Sequence, residues 1–208
     1  MIEAQRSIAT RAIALAIVAF DVADIRLQTG YSGSLLTLAA LIALLCLNDG
    51  TLPALGMTRV PIQGWRYWCR AALWIGLAVG VVVALAAGAW VLLGGTLPLT
   101  GTPPSFSALF FMCVYAPVYE EVVYRSLLTV AVAPSLGPRG TIACSGAVFA
   151  LIHLLRGNAS PENQIAGFFL EWAFLKSGTI LVPMAMHSAG NLIALSMQVA
   201  GWYWLAAR

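Results

Sequence analysis

Charge is what this chain lacks most. Asp, Glu, Lys and Arg make up 9% of its 208 residues, where a soluble domain carries about a quarter, so a water-soluble globule of this length is excluded. The charge that remains sums to +3, and its Lys and Arg residues are scattered, which argues against nucleic acid as a partner. Cysteine is sparse as well. Cys46, Cys69, Cys113 and Cys144 form no C-x-x-C pair, so neither a zinc knuckle nor a disulfide framework is indicated. There is no H-E-x-x-H, no internal repeat and no low-complexity tract.

Apolar residues fill the space that charge leaves: 61% of the chain is hydrophobic and its mean hydropathy is +0.88. Length predicts a single integral-membrane domain over 1–208, with lipid as the solvent for most of its surface. Crossing the hydrocarbon core takes about 20 residues of helix. Apolar runs cover 35–47 (extendable to 32), 71–93, 106–133, 140–155, 165–175 and 179–205, with Gly and Pro clusters between them. These runs exceed the ~9–11 residues of a barrel strand. With a weaker N-terminal run they predict an all-α fold, a polytopic transmembrane bundle of about seven helices, six to eight in range.

The N-terminal run, 12–20, follows Arg6 and Arg11 and so resembles the start of a signal peptide. Asp21 and Asp24 come next, without a convincing small-residue cleavage site, and a first membrane helix that stays attached is expected. Putting the N-terminus in the cytoplasm places Arg6, Arg11, Arg59, Arg66, Arg70, Arg139 and Lys176 inside and Arg26, Arg156 and Arg208 outside, a positive-inside bias. The segment 59–70, with Trp65, Tyr67 and Trp68 among its arginines, suits an interfacial anchor or a plain juxtamembrane loop equally.

Against this background a few polar residues stand out. Glu120 and Glu121 sit five and four residues ahead of Arg125, His153 follows Phe149 by four, and Asn191 follows His187 by four. A charge at bilayer depth costs roughly 2.5–3.5 kcal/mol even on lenient scales, so residues kept there point to use. On the expected map Glu120, His153 and His187 lie at depths of roughly 20, 21 and 14 Å from the cytoplasmic side, at 1.5 Å per residue. Adjacent carboxylates point roughly 100° apart, so Glu120 and Glu121 are expected to face different neighbours. Glu121 and Arg125 share a face and suit an ion pair, which leaves Glu120 unpaired, as a general base or acid would need to be. His187 and Asn191 reach one spot and can donate to an oxyanion, or serve as glue between helices. Glu171, beside Trp172, has no assigned role.

The ordered motifs are Ala116-Pro117-Val118-Tyr119-Glu120-Glu121-Val122-Val123-Tyr124-Arg125, then Ser145-Gly146-Ala147-Val148-Phe149-Ala150-Leu151-Ile152-His153, then His187-Ser188-Ala189-Gly190-Asn191. Together they resemble the CPBP family of intramembrane proteases (CAAX protease, bacteriocin-processing, Abi), of the Rce type, over a core of about 105–200. Ser126 departs from the usual Gly and Glu171 from the usual small residue. The resemblance implies that Glu120 and His153 activate a water, that His187 and Asn191 stabilise the oxyanion, and that Glu121 and Arg125 hold the helix. It leaves two mechanisms open. One is metal-free, a glutamate-type protease. The other is a Zn enzyme held by Glu120, His153 and His187; zinc ligands usually pair on one helix, which favours the former. The implied partners are the bilayer and a membrane-associated peptide or protein substrate. The short chain suggests a prokaryotic cytoplasmic (inner) membrane. A non-catalytic immunity or scaffolding protein of the same fold is the alternative; a transporter is disfavoured, because the chain has no repeat and too few spans for the usual inverted halves.

Overall fold

The computed structural model describes residues 8–27, 56–96 and 105–206. Among them every regular element is a helix: α1 (Ile8–Leu27), α2 (Gly64–Leu92), α3 (Phe106–Leu155), α4 (Pro161–Ser177) and α5 (Leu181–Ala206). The expected span at 35–47 lies outside the described residues, which therefore hold five helical segments rather than seven. One of the five is double. Within α3, Gly137 takes φ 64°, ψ 178° between Pro134 and Pro138, a backbone region that glycine alone enters cheaply. The chain turns there, so 106–136 and 138–155 are separate helices, broken where the proline cluster predicts. Helices α2 and α3 are long and apolar enough to cross a membrane.

Local chemistry sets the ends. Ser105, in extended conformation, caps α3 by accepting from the Ala108 amide at 3.2 Å. Pro161 opens α4 and Gly178, at φ 68°, closes it. The stretch that carries Glu120 is less regular: π turns at Phe111–Tyr115 and Val122–Leu127 flank it. Such bulges are frequent at functional sites. In the first, the Ala116 amide bonds Phe111 O. The next donor in that five-residue register would be Pro117, which has no N–H, so the Met112 carbonyl is left for another partner.

The core sits where α1 crosses α3. Ala14 and Val18 pack with Val123, Leu127, Val130, Phe149, Ile152 and Leu170 of α4. Arg11 fastens the pair, donating from Nε to Ala131 O at 3.1 Å and from Nη2 to Ser135 Oγ at 2.6 Å. The second half of α3 lies against α4 at a glycine crossing. A Cβ on Gly167 would fall 2.7 Å from Phe149 Cβ and 3.1 Å from Gly146 Cα, so only small residues allow the approach. Helix α2 differs. Trp68 is its one buried side chain, packed with Trp172, Ala173 and Val182, while Leu73, Trp74, Leu77, Val81, Val82 and Leu85 are exposed as a lipid-facing helix requires. The aromatic-basic segment 59–70 leads into this helix, and from Gly64 onward it is α2 itself.

Candidate active site

The middle of α3's first half delivers two buried carboxylates. Glu120 Oε1 lies 2.5 Å from Arg156 Nη1, and its Oε2 lies 3.9 Å from His187 Nε2. Glu121 Oε1 lies 2.8 Å from His187 Nδ1, and its Oε2 lies 3.0 Å from Arg125 Nε. Two expectations are corrected here. Adjacent carboxylates do face one neighbour: the His187 ring sits in the wedge between their directions and offers each a different nitrogen. Nor is Glu120 unpaired. One guanidinium could not match two acids, and the second is Arg156, which the membrane map had put in an outer loop.

Phe149, fully buried, is the floor on which this cluster rests. Its ring centroid is 4.4 Å from that of His153 and 5.6 Å from that of His187, and the Arg125 guanidinium lies 4.7 Å above it. His153 Nδ1 is 2.9 Å from Phe149 O. A carbonyl only accepts, so Nδ1 carries the hydrogen and, in the neutral ring, Nε2 keeps the lone pair. Glu120, Arg156 and His187 are all within electrostatic range of that ring. Carboxylate, imidazoles and guanidinium thus meet at one level, contributed by both halves of α3 and by α5.

Residues 102–193 match the family model described as type II CAAX prenyl endopeptidase Rce1-like. The segment contains every motif residue from Glu120 to Asn191, and the Rce-type resemblance read from the sequence is borne out. The match implies a protease. No curated protein and no solved structure matches the chain.

The remaining residues of the Rce1-like segment divide between the site and its frame. Asn191 donates from Nδ2 to Met112 O at 2.6 Å. It thereby takes the carbonyl that Pro117 leaves unbonded and ties α5 to the first π turn; its second amide hydrogen remains for other use. Arg125, fully buried, also donates from Nη1 to Ser145 Oγ at 3.2 Å, and that hydroxyl donates to Tyr124 O at 2.8 Å. Glu171, for which the sequence offered no role, accepts from Thr129 at 2.7 Å and is electrostatically coupled to Arg125. Arg125 therefore pairs with one buried acid on α3 and lies within electrostatic range of a second on α4.

Arg156 had one signal in the sequence. It follows His153 by three residues and so shares its helical face; counting it as a loop residue concealed this. A metal fits less well. Among the described residues no three His, Cys, Asp or Glu side chains converge as a metal-binding group. Glu120 already faces a guanidinium; the Nδ1 atoms of both histidines meet oxygen partners, an arrangement that leaves Nε2 for a metal or for a water alike. Among the described residues Cys69, Cys113 and Cys144 are free thiols.

Proposed function

We propose that the chain is an intramembrane endopeptidase, hydrolysing a peptide bond in a membrane-associated protein or peptide through a water activated by Glu120 and His153, without a metal. The observation that carries this reading is the split use of Glu120. Arg156 holds Oε1, while Oε2 faces His187 Nε2 across 3.9 Å, a gap too long for a direct hydrogen bond and one that a water set to one side can bridge within hydrogen-bond reach of both atoms.

In this mechanism Glu120 Oε2 takes a proton from water as the oxygen adds to the peptide carbonyl. His153, its Nδ1–H committed to Phe149 O, offers the Nε2 lone pair to the same water. The carbonyl oxygen becomes an oxyanion. His187, when its ring carries both protons, donates to Glu121 from Nδ1 and to the oxyanion from Nε2, and the second amide hydrogen of Asn191 adds to it. The C–N bond then breaks, with the proton on Glu120 passing to the leaving amine. Glu121 and Arg125 hold His187 and the helix in place. Burial among apolar side chains strengthens each of these interactions relative to water.

The substrate reaches the site from the membrane, and the enzyme's place is a prokaryotic cytoplasmic membrane with its N-terminus inside. The test compares cells making wild-type, Glu120→Ala and His153→Ala protein by mapping the termini of small membrane-associated peptides. A product seen with wild type and missing in both variants is expected, and it would name the substrate. Identical peptide profiles from three folded proteins would instead make this a non-catalytic member of the fold.

A further inference from the structure

Helix α1 lies outside the Rce1-like segment, yet it places a carboxylate next to the site. Asp21 is 3% exposed, and it accepts from the Tyr119 hydroxyl at Oδ1 and from the Tyr124 hydroxyl at Oδ2. These two tyrosines bracket Glu120 and Glu121 in the sequence. On a straight α-helix residues five apart point about 140° apart, too far for both hydroxyls to meet one carboxyl group. The π turn over Val122–Leu127, where the Leu128 amide bonds Val123 O, changes that register and brings the pair to one face. Asp21 thus closes a clamp across an irregular turn. The same acid is within electrostatic range of the Arg156 guanidinium, which holds Glu120 Oε1 at 2.5 Å. Arg11, one face along α1, anchors the helix to Ala131 and Ser135, so Asp21 is held on a fixed element.

We propose that Asp21 is a positioning residue for the reaction: by clamping Tyr119 and Tyr124, which flank Glu120 and Glu121, across the π turn, it sets the direction of the Glu120 carboxylate. Nothing in this role requires Asp21 to touch substrate. It makes α1 a working part of the site, and it rests on the endopeptidase reading above. Asparagine at 21 keeps one acceptor oxygen and loses the charge and the second acceptor. Alanine loses all three.

The test uses the full chain reconstituted in lipid vesicles. Ultraviolet resonance Raman spectra report tyrosine hydroxyl donation without any substrate; the strong-donor signature in wild type is expected to weaken in Asp21→Ala and, by half as much, in Tyr124→Phe. Hydrolysis is followed with a quenched prenyl-CAAX peptide or with the peptide that termini mapping names. Misplacing the reacting group lowers kcat for Asp21→Asn by on the order of 10–100-fold with KM changed less than about 3-fold, and Asp21→Glu restores part of the loss. A folded Asp21→Asn protein with wild-type kcat, or an unchanged Raman signature in Asp21→Ala, would overturn the proposal. Glu120→Gln, run in parallel, separates the two ideas. If it also cleaves normally the endopeptidase reading fails, whereas if it alone is inactive only the role of Asp21 fails.

Discussion

Glu120→Gln is expected to lower cleavage by on the order of 10²–10⁴-fold in kcat, the usual contribution of a positioned general base. Glutamine is nearly the same size and can still accept from Arg156 through its amide oxygen, so the substitution removes proton acceptance while leaving most of the packing. The loss should fall on kcat more than on KM, because water activation matters in the transition state and little in substrate binding. Kinetics on the reconstituted protein check this. Since Glu120 is 4% exposed and salt-bridged to Arg156 at 2.5 Å, a fold effect is the competing explanation. An unfolding midpoint within a few degrees of wild type removes it. A variant with normal kcat would take the general base away from Glu120.

Arg125→Met is expected to act on stability instead. Arg125 is completely buried, pairs with Glu121 at 3.0 Å and is coupled to Glu171 on α4. Removing the cation leaves two buried acids without their counter-charge, and breaking a buried pair in this way typically costs about 3–5 kcal/mol. Membrane yield and the thermal midpoint in detergent should both fall sharply. Adding Glu171→Gln to Arg125→Met should recover part of the loss, because groups in one network are not additive. A wild-type midpoint for the single variant would show that Arg125 does not hold this region together.

Much of the molecule was legible in the chain because lipid imposes simple rules. Long apolar runs must be helical, and Pro and Gly mark where they stop; hence the break near Gly137, the start at Pro161 and the end at Gly178 follow from composition alone. The motif residues could be named because charge is costly at depth. What resisted reading was pairing between distant positions. Nothing local to Glu120 says that Arg156 reaches it, since the pairing depends on how the two halves of α3 fold back on each other. The π turns were equally hidden. Pro117 signals a freed carbonyl, yet only tertiary packing shows that Asn191 takes Met112 O, and that Tyr119 and Tyr124 converge on Asp21. Glu171 had no visible role because its cation stands on another helix.

The most direct measurement of the central claim is a single-turnover hydrolysis in water enriched in oxygen-18, followed by mass spectrometry of both product and enzyme. Attack by a Glu120-activated water puts one heavy oxygen in the new C-terminal carboxylate of the product and none in the protein. An unlabelled first product, with the heavy oxygen recovered in the Glu120 carboxyl group, would show that Glu120 attacks the peptide carbonyl itself and would contradict the account.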